Sequence, residues 1–354
     1  MMADALIRVN AGPHIGLGHL QRSLSLAAAL RELGCASVFL ANDDPSVCER
    51  VTAAGFPVES VSVEPSWGAA DAQHTLAFAQ RHGCSLVVVD SDEDRAEFLN
   101  HLRSSGLRVC AIDDSAKYSF GCQVVVNGDA HAERLPYRSS AGDTKFLLGP
   151  AFCIIRKELW DVPVRQTREQ PENVLLSLGG DDPHRLMPRL LSAMDALPAC
   201  ELTAIVGPFF RHAEDIQRIA STLKHDVRIV PSPESVRELM LRADLAVSAG
   251  GQTLYELARV GCPAVVITTA DNQRLQVQAI AEQGAIVPVG HAQDDNIVEH
   301  AVSALHALWQ DAGRRAVMSA AGQRLTDGQG ALRVARALIS CQAVTSADQP
   351  AGTV

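Results

Sequence analysis

Short apolar, β-branched runs, each followed by a helix-length stretch, recur along this chain, and the scheme stops and restarts near its middle. Runs at Ala5–Val9, Ser37–Leu40, Leu86–Val89, Val109–Ile112 and Val124–Val126 alternate with helical stretches near Leu20–Leu33, Pro45–Ala54, Ala70–Arg81 and Arg95–Ser104. Runs of this kind, separated by helices, require parallel strands joined by right-handed crossovers. Over Lys145–Trp160 the pattern changes, with Gly149-Pro150 breaking it. The polar stretch Asp161–Glu172, carrying Pro163 and Pro171, then has the composition of an interdomain linker. From Val174–Leu178 the alternation resumes, with strands near Leu202–Val206, Val227–Ile229, Leu245–Val247, Ala264–Ile267 and Ala285–Val289. A helical, Ala-rich stretch follows from Asn296 to about Cys341. The expectation is an α/β chain of two doubly wound, Rossmann-like domains, residues 1–160 and 161–341. Residues 342–354, rich in Ala, Thr, Ser and Pro, are expected to fray as a disordered tail. A length of 354 residues is enough for two cores.

Composition narrows the partners. A net charge of −10 with no basic stripe argues against nucleic acid, although a helix N-terminus can hold a diphosphate inside an acidic protein. No apolar stretch approaches the roughly 20 residues of a membrane span. Met1 to Arg8 lack a basic stretch followed by an apolar one, so a cytoplasmic protein is expected. The nine cysteines are an odd number, scattered singly without a CxxC, which reads as reduced thiols. Cys84, Cys110, Cys122, Cys200 and Cys262 flank or sit within apolar runs and are expected to be small core fillers.

Two glycine turns stand at strand–helix junctions. Gly16-Leu17-Gly18-His19-Leu20-Gln21-Arg22 follows the first strand and opens the first helix. Glycines let the backbone turn sharply and approach a bound group, and the helix start offers N–H groups to an anion. A histidine in that turn titrates near neutrality and suits proton transfer, though it could also serve only as packing. Farther on, Gly250-Gly251-Gln252-Thr253-Leu254-Tyr255-Glu256 repeats the arrangement. There the glycines admit a phosphate, Thr253 adds a hydroxyl, and Glu256 could accept from the hydroxyls of a ribose or be a capping residue. Asn272 and Gln273, in Ala270-Asp271-Asn272-Gln273, carry donors and acceptors suited to sugar or phosphate, with an ordinary cap by Asp271 as the plain alternative. Asp113-Asp114, after Val109–Ile112, could orient His19, bind a sugar or merely form a turn. In doubly wound sheets ligands bind at the carboxyl ends of strands, so two facing domains would point both glycine turns into one cleft.

The ordered set Ile15 to Arg22, Ile112 to Asp114, Leu147 to Pro150, Ser177 to Pro183, Gly250 to Glu256 and Ala270 to Gln273 resembles a known family. It is similar to the UDP-2,4-diacetamido-2,4,6-trideoxy-β-L-altropyranose hydrolases of the pseudaminic acid pathway. These are relatives of the murein glycosyltransferase in the GT-B superfamily. The resemblance implies metal-independent and cofactor-free hydrolysis of a UDP-sugar at the anomeric carbon, with His19 as the base that activates water. It also implies substrate binding by Gly16, Gly18, Arg22, Asp113, Asp114, Gly179, Gly180, Gly250, Gly251, Gln252, Thr253, Glu256, Asn272 and Gln273, with UDP mostly on the C-terminal domain. Three departures fall in the N-terminal half: Asn10 where the family has Asp, Asp90-Ser91-Asp92-Glu93 where it has an aromatic, and Asn127-Gly128-Asp129. They point to a more polar or unacetylated sugar. A glycosyltransferase of the same fold is the alternative reading, and a silent nucleotide-sugar binding protein is a third. An oxidoreductase is weaker, because neither turn completes the spaced-glycine dinucleotide fingerprint.

Overall fold

The computed structural model describes residues 4–12, 15–62, 67–91, 93 and 95–341; Asp92 and the tail 342–354 lie outside them. The chain divides into two compact units, residues 1–154 with 329–354, and residues 155–328.

The first unit holds strands β1 (Ala5–Val9), β2 (Ser37–Asn42), β3 (Val58–Val61), β4 (Leu86–Asp90), β5 (Arg108–Ile112), β6 (Ser119–Phe120), β7 (Val124–Asn127), β8 (Arg138–Ser139) and β9 (Lys145–Leu148). Helices α1 (Gly18–Glu32), α2 (Pro45–Ala53), α3 (Ala69–His82) and α4 (Ala96–Ser104) connect them. Seven strands form one parallel sheet in the order β3-β2-β1-β4-β5-β7-β9, and β6 and β8 form a separate two-stranded ribbon. β1 and β4 are buried along their whole length, as befits central strands covered by helices on both faces. Arg8, inside β1, is made tolerable by Asp71, whose carboxylate lies 2.8 Å away, and by the Trp67 ring beneath its guanidinium.

The second unit holds β10 (Asn173–Ser177), β11 (Glu201–Val206), β12 (Asp226–Pro231), β13 (Leu245–Ala249), β14 (Ala264–Thr268) and β15 (Ile286–His291). These form a parallel six-stranded sheet in the order β12-β11-β10-β13-β14-β15. Its helices are α5 (Leu186–Ala193), α6 (Ala213–Ala220), α7 (Arg237–Arg242), α8 (Thr253–Arg259), α9 (Arg274–Glu282), α10 (Ile297–Gln310) and α11 (Ala312–Leu325). Leu176, Leu190, Met194, Val247, Leu305 and Trp309 belong to its continuous core. Asp182 caps α5, accepting from the Leu186 and Met187 N–H groups at 2.8 Å each.

Two expectations about organisation need correction. The last helix, α12 (Gly330–Ser340), belongs to the first unit, where it packs on α1, and not to a domain spanning 161–341. Arg108 ties its end down by donating to the carbonyls of Leu338 and Cys341 at 3.2 and 3.1 Å. The division falls at Ile154/Ile155 and not at 160/161, so the polar stretch 161–172 lies inside the second unit and is not a linker between the two. There the Arg165 N–H donates to Gln323 Oε1, and the Arg165 guanidinium binds the Ala243 carbonyl.

Candidate functional site

In each sheet there is a point where the strand order reverses, and the loops leaving that point are the ones a doubly wound sheet offers to ligands. In the first unit it lies between β1 and β4, with Val9 registered against Asp90. The loop after β1 is pinched by mutual backbone bonds between Gly12 and Gly16, at 2.7 and 3.2 Å, with Gly16 at φ +90°. Among the described residues, no atom lies within 4 Å of a methyl group placed at Gly16 or Gly18. α1 then starts at an N-cap, Leu17, whose side chain has no group to cap it.

His19, in the first turn of α1, places Nδ1 2.8 Å from Oδ1 of Asp90, the last residue of β4. Arg22, one turn later, donates through Nε and Nη2 to the two oxygens of Asp90 at 2.8 and 2.6 Å. Through Nη1 it reaches both oxygens of Asp114 at 2.8 and 2.7 Å. Ser23 adds a hydroxyl to Asp90 at 3.2 Å. Burial alone would push the Asp90 carboxyl up, but Arg22 and His19 outweigh it and hold the group well below the usual carboxylate range. Burial also opposes the charge of Arg22, and Asp114 and Asp90 together more than restore it. Arg22 Nη2 also lies 3.0 Å from His19 Nδ1, so two assignments of that nitrogen compete. A lone pair aimed at an ionised carboxylate 2.8 Å away would be repelled, so in the neutral ring the hydrogen belongs on Nδ1 and the basic lone pair on Nε2.

The expected orienting role of Asp113 or Asp114 is thus corrected. Asp90 holds His19, and Asp114 acts one step away through Arg22. Asp113 is a loop brace: its Oδ1 accepts from the Ser115 and Ala116 N–H groups at 2.9 and 2.7 Å and from the Tyr137 hydroxyl at 3.1 Å. Of the other residues expected to shape the sugar side, Asn10 accepts from Arg8 at 2.6 Å. Asn127 donates to Tyr137 and accepts from the Asp129 N–H, both at 2.9 Å, so both side chains are engaged within the first unit.

In the second unit the reversal lies between β10 and β13, with Ser177 registered against Ser248. The loops leaving these strands carry Gly179-Gly180 and Gly250-Gly251. The 250–251 turn is held from below: Gln276 Nε2 donates to both glycine carbonyls at 3.0 and 3.1 Å, and Gln273 Oε1 accepts from the Gly250 N–H at 3.2 Å. Gln273 also accepts from the Thr269 N–H and hydroxyl, so it is a brace of the turn in this state. Gly250 is closely packed, since a Cβ there would lie 2.7 Å from Val277. At Gly251 and Gly179 no atom of the described residues lies within 4 Å of that position. Gln252 and Thr253 form the start of α8, where the Gln252 side chain makes no capping hydrogen bond. Glu256, buried in its first turn, accepts from Arg156 Nε at 3.0 Å. Asn272 is exposed on the short turn Asp271–Gln273.

Arg156 and Gln276 have no counterpart among the residues expected from the sequence, and Asp90 is expected there only as part of the sugar-side departure 90–93, not as the partner of His19. Asp90 ends an apolar run, Arg156 sits in the stretch where the pattern breaks, and Gln276 looks like an ordinary helix residue. A charged residue closing a fully apolar strand was the usable signal for Asp90. Burial pushes the Cys84, Cys200 and Cys262 thiols up to about 11, so they are not thiolates at neutral pH; Cys200 is half-buried, the others buried. Among the described residues, no helix is long and apolar enough to cross a membrane.

Residues 183–328 match the glycosyltransferase family 28 C-terminal domain. The spore coat polysaccharide biosynthesis protein SpsG of Bacillus subtilis is 27% identical over 199 residues, 54% of this chain and 58% of that protein. The UDP-N-acetylglucosamine–N-acetylmuramyl-(pentapeptide) pyrophosphoryl-undecaprenol N-acetylglucosamine transferase of Methylococcus capsulatus is 32% identical over 166 residues, 45% of each chain. The chain thus spans about half the length of the curated relatives it matches. Among solved structures, MurG of Acinetobacter baumannii superposes with a TM-score of 0.70 at 14% identity, over 96% of this chain and 100% of that one. The fold is that of the GT-B glycosyltransferases, two α/β units with parallel sheets.

Proposed function

We propose that the protein uses a UDP-sugar, with His19 as general base activating an oxygen nucleophile for attack at the anomeric carbon. The observation that carries this reading is the His19–Asp90 pair at the strand-order reversal of the first sheet. Asp90 fixes the Nδ1–H tautomer and stabilises the imidazolium that forms when Nε2 takes the nucleophile's proton. The nucleophile's oxygen bonds to the anomeric carbon as the bond to the diphosphate breaks, and UDP leaves with the electron pair. In the second unit, the N–H groups behind Gly250 and Gly251 suit the diphosphate, Thr253 adds a hydroxyl, and Glu256 suits the ribose diol. Gly179 and Gly180 line the neighbouring loop, and Asn272 offers a carboxamide to the sugar.

The family 28 match over 183–328 and the transferase relative favour an alcohol as nucleophile, hence glycosyl transfer. The ordered motifs from Ile15 to Gln273 favour water, hence hydrolysis of a deoxyamino sugar nucleotide. One assay separates them: UDP release from a panel of UDP-amino sugars in ¹⁸O-water without an acceptor. Labelled free sugar in step with UDP marks a hydrolase, whereas release that waits for an added acceptor marks a transferase. In either case His19→Ala should lower kcat by about 10²–10⁴ while UDP affinity stays within a few-fold. A variant as active as the parent would remove His19 from the mechanism.

A further inference from the structure

Arg156 and Glu256 form an ion pair that the chemistry at His19 does not use. Their side chains are 25% and 4% exposed, and Arg156 reaches one carboxylate oxygen, Oε1, through Nε at 3.0 Å. The partners are 100 positions apart in sequence, so the contact is a tertiary one. Glu256 lies in the first turn of α8, just behind the open Gly251 turn. Around it, Arg156 favours the ionised form and Glu158 opposes it. Arg259, on the same helix, directs its guanidinium to the Leu159 and Trp160 carbonyls at 3.1 and 2.9 Å. Burial pushes the Glu256 carboxyl up, and Arg156 offsets this only in part, so the group stays above its ordinary value even with its partner in place. A carboxylate this buried, if left without a cation, takes up a proton and stops being a two-oxygen acceptor.

We infer that Arg156 is a positioning residue that keeps Glu256 ionised, so that its carboxylate can accept hydrogen bonds from the ribose hydroxyls of the nucleotide. The inference rests on the nucleotide-site reading above. The hydrogen bond between them joins Nε to Oε1, so the guanidinium supports the charge of the carboxylate through that oxygen. A guanidinium suits this task because it stays charged at every working pH. The pair therefore sets the pH range over which the site recognises nucleotide.

The test is calorimetric titration of UDP into the full chain as parent, Arg156→Met, Arg156→Lys and Glu256→Gln, between pH 5.5 and 8.0. Each affinity is taken as a ratio to the parent at the same pH, so that the phosphate's own titration cancels. Arg156→Met should fall tenfold or more relative to the parent as pH drops, approaching Glu256→Gln, which should be weak at every pH. Arg156→Lys should restore most of the parent profile. In parallel, ¹³C-carboxyl NMR of ligand-free, Glu-labelled protein should show the Glu256 resonance, assigned by its loss in Glu256→Gln, titrating at higher pH in Arg156→Met. An unchanged resonance together with a flat ratio for Arg156→Met would overturn the inference. If Glu256→Gln binds UDP as well as the parent, the ribose reading fails instead. The NMR arm then still decides whether Arg156 keeps the carboxylate charged.

Discussion

At the scale of single residues, the group that distinguishes this protein is Asp90, buried at the end of β4 and shared by His19, Arg22 and Ser23. Its replacement by Asn keeps the shape and removes the charge. Breaking a buried pair of this kind costs about 3–5 kcal/mol of stability at neutral pH. A carboxyl held below its ordinary range contributes stability that is present above its unfolded-state pKa, about 3.9, and is lost as pH falls through the folded value. Urea unfolding of parent and Asp90→Asn should therefore differ most above roughly pH 4 and converge in stronger acid. A constant gap between pH 2 and 7 would show that charge is not the cause. Turnover should fall by about 10²–10⁴ with UDP affinity kept, because the imidazolium loses its counter-charge. His19 was legible in the sequence because a Gly-x-Gly-His turn after a strand announces itself locally. Its pairing with Asp90 was not, since 71 positions separate the partners and only the β1–β4 register joins them.

At the scale of elements, the glycines of one turn do different work. Gly250 is packed against Val277 and Gln273, whereas the space beside Gly251 is open. Gly250→Ala should lower the melting temperature by several degrees, since the new methyl requires a shift of well-packed neighbours that costs about 1–3 kcal/mol. Gly251→Ala should melt like the parent but bind UDP less tightly, because the added methyl occupies space a phosphate would need. Thermal melts and calorimetry of the two variants decide this, and equal UDP affinity for parent and Gly251→Ala would place the phosphate elsewhere. Most elements were legible from periodicity: the Ala5–Val9 strand has the expected limits, and α1 starts two residues before the expected Leu20. β3 was missed because Val58-Glu59-Ser60-Val61 is a half-exposed edge with too few apolar residues to stand out. β9 was hidden in the stretch Lys145–Trp160, where its four residues run directly into Gly149-Pro150.

At the scale of the molecule, two doubly wound units were legible because the strand–helix alternation restarts at β10. Their limits were not, because α12 reads simply as the last of three consecutive Ala-rich helices and nothing local says which sheet it covers. Ala331, Val334, Ala335 and Leu338 bury its apolar face in the first unit. Leu338→Ala should accordingly cost about 2–5 kcal/mol. Hydrogen exchange should show the loosening in β1, β4 and β5, with β10 to β15 unchanged. Faster exchange in the second sheet alone would assign α12 to the wrong unit. The same interruption orders events during synthesis. Residues 155–328 leave the ribosome as a contiguous run and can close their sheet at once, while the first unit, begun earlier, waits with the side of α1 that α12 covers still exposed. Within this chain, the unit begun first is therefore the unit finished last.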